Sequence, residues 1–268
     1  MRRRTVDDFV KRYGPWALIA GASEGIGAAF ARALAQRGIN LVLVARRSER
    51  LEAAEREIIG LAPVQVRRVA LDLARADAAV VLEQEVADLD IGLVVYNAAL
   101  APGGAFLEIP LAEQLAAIDV NVRGPLALAH RFGRRLAARG SGGIVLLSSL
   151  TAFQGSPFVA TYGASKSFLL TLAEGLWFEL APRGIDVLAV CAGATRTPGY
   201  LRRSQQRAPG ELQPDQVARE ALARLGRGPS MIPGRFNRFA SQLMRRVLSR
   251  RATIRIMGGQ TRHLTLSS

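Results

Sequence analysis

Tyr162 and Lys166 stand four residues apart at the end of the stretch IVLLSSLTAFQGSPFVATYGASK, residues 144–166. If Tyr162 opens a helix, that spacing puts both side chains on one face, one turn apart. An ammonium beside a phenol favours the phenolate, drawing Tyr162 below its free value of about 10 toward pH values where it exchanges protons. Thirteen residues before Tyr162 comes Ser149, which with Ser148 ends the apolar run 144–147. A serine at a strand end could give a second hydrogen bond to the oxygen that Tyr162 serves. Alone, the pair is a weak signal, because two such residues meet on a helix by chance in most proteins.

The elements that must position these residues begin with WALIA, residues 16–20, a short continuous apolar run expected of a strand buried on both faces. GASEGIG follows (Gly21, Ser23, Glu24, Gly25, Ile26, Gly27), leading into AAFARALAQRG with apolar residues at helical spacing and Gly38 at its end. Glycines let backbone approach a pyrophosphate, and the free N–H groups and dipole of a helix start attract it. The Gly-x-x-x-Gly-x-Gly spacing differs from the commoner Gly-x-Gly-x-x-Gly fingerprint. The same letters spell Gly21-x-Ser23-x-Gly25, a nucleophile-elbow pattern, and also suit a plain tight turn.

A second buried strand, NLVLVA (residues 40–45), ends in Arg46-Arg47. In a doubly wound sheet that end faces the adenosine ribose, where an acid suits the 2′-hydroxyl of NAD and arginine the 2′-phosphate of NADP. Position favours NADP over NAD, with Glu24 contributing some repulsion and plain solvated arginines as the bland alternative. Ser48 is the expected N-cap of a helix over 51–59. The strand VQVRRVALDL then leads into Asp72-Leu73; Asp72 could bind an adenine amino group or cap its own loop. A helix over 76–87, the strand IGLVVY (91–96) and the small residues Asn97, Ala98 and Ala99 follow, which let a flat cofactor lie close.

Residues 111–138 read as one long helix containing Asn121, a buried amide that needs partners. His130 in that stretch reads as structural or surface. A helix continues from Tyr162 with the apolar stripe Leu169, Leu172, Leu176 and Leu180, core or subunit interface. A sixth strand over 185–191 precedes Gly193, Thr195 and Thr197. Residues 199–214 are long and polar enough for a lid carrying Arg202, Arg203 and Arg207, which we read as solvent-exposed. A helix over 214–225 and an edge strand at 230–232 come next. Beyond Pro233-Gly234, Phe236, Phe239, Ala240, Leu243, Met244, Val247 and Leu248 trace a helical face opposite Arg238, Arg245, Arg246, Arg250 and Arg251. Such a helix can lie on an anionic membrane; packing on the domain or a second subunit is the preferred expectation, with peripheral membrane contact through 236–251 as the alternative.

No apolar run nears the roughly 20 residues that span a bilayer, and the basic start MRRRTVDDFVKRYG lacks the apolar stretch of a secretory signal. Cys191 is the single cysteine, which excludes an internal disulfide and fits a reducing cytoplasm. With His130 and His263 the only histidines, no Cys/His metal site is expected. The net charge of +14 would suggest nucleic acid. However, lysine occurs only at Lys11 and Lys166, so the arginine content looks compositional, and after Glu220 there are ten arginines and no acid. No stacking surface or reader motif accompanies the charge, so no nucleic-acid partner is expected. The expected organisation is an arm (1–15), one α/β Rossmann-like domain with a doubly wound parallel sheet (16–232) and a basic amphipathic helical extension (233–268).

Five motifs in order, GASEGIG, Asp72-Leu73, Asn97-Ala98-Ala99, SSL…YGASK and AGATRT (residues 192–197), resemble the short-chain dehydrogenase/reductase family over roughly residues 16–197. The opening YGPWALIAGASEGIG is similar to the 3-oxoacyl-CoA reductase and 17β-hydroxysteroid dehydrogenase group. The resemblance implies NADP(H)-dependent hydride transfer on a carbonyl or secondary alcohol, by a homodimer or homotetramer. It implies that Gly21, Gly25 and Gly27 hold pyrophosphate and that Ser149, rather than Ser148, is catalytic with Tyr162. Asn121 would bind a water relaying protons to Lys166, Lys166 the nicotinamide ribose, and Thr197 the carboxamide side. Three positions depart from the family pattern: Ala20 replaces threonine, Ala99 glycine and Ala192 proline. The first is expected to loosen Asn97, the second adds a methyl group near the nicotinamide, and the third removes a rigid turn.

Two rivals belong to other classes. One is an α/β-hydrolase using Ser23 with an acid and His263, disfavoured because its elbow follows the first strand. The other is a cofactor-binding or membrane-docked protein without turnover. The pocket loops, near 101–106, 151–160 and 199–214, carry Phe106, Phe153 and Phe158 and suggest an apolar substrate without naming it.

Overall fold

The computed structural model describes residues 5–202 and 207–265, without the side chains of residues 260 and 263–265. Arg203 and the side chain of His263 therefore lie outside the described residues. The chain runs α1 (Val6–Tyr13), β1 (Trp16–Ala20), α2 (Gly25–Ala35), β2 (Asn40–Ala45), α3 (Ser48–Leu61), β3 (Val66–Ala70), α4 (Ala78–Glu85) and β4 (Ile91–Tyr96). Then come α5 (Leu111–Ile118), α6 (Gly124–Arg139), β5 (Gly142–Ser149), α7 (Ala160–Leu180), β6 (Ile185–Ala192), α8 (Pro198–Leu201), α9 (Pro214–Arg224), β7 (Ser230–Met231), α10 (Arg235–Val247) and α11 (Arg250–Thr265). The seven strands form one sheet in the order β3-β2-β1-β4-β5-β6-β7, every neighbouring pair parallel.

Continuous apolar strands require cover on both faces. Alternate residues point to opposite layers, so Ile19, Leu43 and Val145 meet Phe30, Leu34, Leu51 and Val217 of α2, α3 and α9. Leu18, Val42 and Ile144 meet Leu82, Phe132 and Leu169 of α4, α6 and α7 on the other side. The chain is a single α/β domain of Rossmann type. The segment read as an arm holds α1, capped by Thr5 and docked through buried Phe9 and Tyr13. Arg12 and Tyr13 donate to Asp186 of β6.

Among the boundaries that differ from the sequence reading, three bear on the site. Ser48 is the first residue of α3 rather than its cap, and Arg47 precedes it in extended backbone. Ser148 and Ser149 lie inside β5. The expected single helix over 111–138 is interrupted by a π-helical turn, Asp119–Arg123. Pro125 explains the break, since it has no N–H to give the Asn121 carbonyl, its partner in a regular α-helix. Tyr96 fixes the turn by donating to the Val120 carbonyl at 2.6 Å. That hydroxyl passes where a Cβ on Gly124 would sit, 2.4 Å away.

Candidate active site

The glycine turn lies between β1 and α2 at the C-terminal edge of the sheet. Gly21 (φ +84°) and Gly25 (φ +61°) occupy left-handed backbone. Gly27 is required by space: a Cβ there would lie 2.0 Å from the Gly21 carbonyl oxygen. Asn97 Nδ2 donates to that same oxygen at 2.8 Å, so Asn97 keeps one hold on the turn with Ala20 in place of the threonine. Glu24 precedes α2 but gives no side-chain cap. The first N–H groups of α2 and the helix dipole remain available to an anion, and the turn admits backbone but no side chain. This cradle fits a pyrophosphate. Ser23, half-buried here, makes no hydrogen bond to a described acid or imidazole.

Arg46 and Arg47 are exposed immediately beyond β2. The Glu24 carboxylate pairs with Arg50 and with Arg202 at 3.2 Å, which offsets the repulsion expected of it. Arg50 escaped the sequence reading; its distance from the glycine motif in the chain gives no signal. Asp72 caps its own loop, accepting from Ala74 N at 3.0 Å. Leu73 is buried, whereas Ala99 is exposed at the end of the run Asn97, Ala98, Ala99 after β4.

Tyr162 and Lys166 sit in the first two turns of α7, with Lys166 Nζ 5.4 Å from the Tyr162 ring centroid. Lys166 is buried and donates to the Leu147 carbonyl of β5 at 2.7 Å. Ser148 points the other way from Ser149 in the strand and donates to the Lys166 carbonyl at 2.8 Å, bracing the helix. Ser149 accepts from Thr151 N at 3.2 Å, which leaves its own proton free to donate. Asn121 is fully buried: its amide accepts from Leu100 N and donates to Leu100 O. Its second donor reaches Ser165 Oγ at 3.0 Å, and Ser165 donates to the Tyr162 carbonyl. Both amide donors are therefore spent, one on the loop carbonyl of Leu100 and one on Ser165 of α7. Ser165 and Pro125 belong to this arrangement; the proline after Asn121 is the sequence signal that could have marked the broken helix.

Burial pulls Lys166 down to about 8 from its free value of 10.5, so it stays mostly protonated at neutral pH. A lowered folded value means the unfolded chain binds more protons between about 8 and 10.5, and this residue's contribution to stability rises with pH across that window. Urea unfolding should show it as a parent-minus-Lys166→Met difference that climbs between those values; a flat difference would contradict the burial. The comparison is needed because Cys191, whose thiol burial pushes up to about 12, acts in the opposite sense above 9.0 in both proteins.

Gly193 follows β6, which runs through Ala192 beside Ser149 where a proline would have interrupted it. Thr195 is buried and donates to the Gly193 carbonyl. Thr197 caps α8, accepting from Tyr200 N at 3.2 Å, and its Cγ2 would stand 2.8 Å from a Cβ on Gly25. Across the cleft, Phe158 (φ +61°) is the one non-glycine residue with left-handed backbone among those described. Phe106 is exposed, and Phe153 lies under the Arg245 guanidinium, 4.7 Å from its ring centroid. Thr261 of α11 donates to the Pro157 carbonyl at 2.8 Å, so the C-terminal helices adjoin the cleft.

The short chain dehydrogenase family model matches residues 15–208. A 7beta-hydroxysteroid dehydrogenase of Clostridium sardiniense is 32% identical over 234 residues, covering 86% of this chain and 90% of that protein. A structure solved in work on 7beta-hydroxysteroid dehydrogenase stereoselectivity superposes with a TM-score of 0.88 at 32% identity, over 93% of this chain and 98% of the other. A short-chain dehydrogenase from Sphingobium yanoikuyae in complex with NADPH gives a TM-score of 0.78 at 33% identity, covering 87% and 94%. With the glycine cradle, the braced Tyr162–Lys166 pair and these likenesses in agreement, the chain belongs to the short-chain dehydrogenase/reductase family of oxidoreductases.

Proposed function

We propose that the chain interconverts a carbonyl and a secondary alcohol on an apolar substrate, a steroid or a 3-oxoacyl thioester, using NADP(H). The observation that carries this reading is the buried Lys166 beside Tyr162, fixed by β5 on one side and by Asn121 through Ser165 on the other. When bound, the nicotinamide supplies or accepts the hydride at the substrate carbon. In reduction, the Tyr162 hydroxyl gives its proton to the carbonyl oxygen, while Ser149 donates a hydrogen bond to the same oxygen. Lys166 favours the phenolate that results and would hold the nicotinamide ribose with its remaining donors. The main-chain carbonyl of Asn121, deprived of an α-helical partner by Pro125, suits the water through which Lys166 recovers a proton.

Gly21, Ser23, Gly25, Ile26 and Gly27 would hold the pyrophosphate, and Arg46 and Arg47 the 2′-phosphate. Asp72, Leu73, Asn97, Ala98 and Ala99 would line the adenine and ribose side, with Gly193, Thr195 and Thr197 at the carboxamide. The NADPH-bound neighbour supports NADP over NAD, and the steroid-active relative supports an apolar substrate. Arg46→Ala/Arg47→Ala should raise KM for NADPH about tenfold or more while leaving KM for NADH nearly unchanged; equal effects on both would remove these arginines from cofactor choice. Leu111 and Leu115 on α5, with Trp177 and Phe178 on α7, are exposed, and there we place the contact of a homodimer or homotetramer.

A further inference from the structure

The C-terminal helices present a surface that the catalytic reading does not use. The side of α10 turned to the domain carries Asn237, Ser241, Met244 and Leu248, all buried or half-buried. Asn237 sets this rotation, donating to the Gly210 carbonyl at 2.9 Å and lying where a Cβ on Gly193 would meet it at 3.0 Å. The apolar row is consequently turned outward: Phe236, Phe239, Leu243 and Val247 are 57%, 66%, 49% and 68% exposed. Of the face traced in the sequence, Ala240, Met244 and Leu248 are half-buried whereas these four residues are exposed, so the expectation that the face packs on the domain is met only in part. Beside the row stand Arg235, Arg238, Arg245 and Arg246 of α10, and α11 adds Arg250, Arg251, Arg255 and Arg262, every one exposed. No acidic residue occurs after Glu220, and none of the eight forms an ion pair with a described residue.

We propose that this surface docks on an anionic lipid bilayer, with Phe236, Phe239, Leu243 and Val247 entering the interface and the flanking arginines meeting lipid phosphates. Charge decides the occupant. A second copy meeting this face across a twofold axis would set arginines against arginines with no acid to answer them. Nucleic acid would use the charge but gives no apolar phase for two phenylalanines, a leucine and a valine, whereas a basic helix with an apolar row suits a bilayer surface. Among the described residues no helix is long and apolar enough to cross a membrane, so the contact is peripheral. Because α11 holds Pro157 and Arg245 covers Phe153, docking also sets the cleft beside the lipid. That consequence rests on the proposed apolar substrate; the docking itself does not.

The test is cosedimentation of the full chain at low salt with phosphatidylcholine vesicles, plain or carrying about 30% phosphatidylglycerol. Binding to the anionic vesicles alone is expected. Phe239→Ser/Leu243→Ser should weaken it about tenfold, as should Arg246→Glu/Arg250→Glu, with NADPH turnover of a water-soluble ketone and the sedimentation coefficient unchanged. These controls separate failure of docking from failure of the catalytic reading. No binding at low salt, equal binding to neutral vesicles, or undiminished binding by both variants would overturn the proposal. So would a smaller oligomer in the serine variant, which would assign the face to a second copy, or duplex DNA binding without vesicle binding.

Discussion

Tyr162→Phe is expected to lower kcat for ketone reduction by about two to four orders of magnitude, while NADPH binding, followed by its fluorescence, stays nearly unchanged. The substitution removes one oxygen and keeps the ring. The ring's neighbours hold their places for reasons independent of that hydroxyl: Lys166 is tied to the Leu147 carbonyl and the helix to Ser148 and Asn121 through Ser165. The cofactor cradle lies on a different loop. A large fall in kcat with little change in cofactor affinity therefore isolates proton transfer from binding. Turnover equal to the parent would remove Tyr162 from the chemistry, and a parallel loss of NADPH binding would make it structural.

Gly27→Ala should produce the opposite split. Its Cβ would fall 2.0 Å from the Gly21 carbonyl oxygen and 2.8 Å from Asn97 Nδ2, too close for either to remain. The hydrogen bond that holds the turn against β4 would be lost. The cost in stability is expected at about 1–3 kcal/mol, as for other overpacked sites, together with at least about a tenfold loss of NADPH affinity as the N–H cradle is displaced. Gly60→Ala is the matched control: it lies in α3 with nothing within 4 Å of the added atom, so helix propensity should make it neutral or slightly stabilising. Chemical denaturation and NADPH titration of both variants measure the contrast. Equal behaviour would mean that Gly27 is not required by space.

Much of this architecture was legible in the sequence. Strands buried on both faces announce themselves as runs such as NLVLVA, and the glycine turn is confined to one shape by sterics. The resemblance singled out Ser149 over Ser148, and β5 turns the two serines apart: Ser148 donates to the Lys166 carbonyl, whereas Ser149 accepts from Thr151 N. Contacts between distant parts of the chain were not legible. Nothing near Glu24 indicates Arg50 or Arg202 as partners, so it read as a repulsive charge rather than a neutralised one. The break at Asp119–Arg123 was hidden because the apolar periodicity continues across it, although Pro125 marked the place. The rotation of α10 was beyond periodicity altogether. A helical wheel shows which residues share a face, whereas one bond from Asn237 to Gly210 decides where that face points.

The most direct test of the central claim is the fate of the transferred hydrogen. NADPH carrying deuterium at the nicotinamide C4 would be incubated with the protein and a panel of keto-steroids and 3-oxoacyl thioesters, and the alcohols examined by mass spectrometry. The account predicts NADPH consumption matched by an alcohol with one deuterium on the carbinol carbon, abolished in Tyr162→Phe. An alcohol without deuterium, or product formation that continues unchanged in Tyr162→Phe, would contradict it.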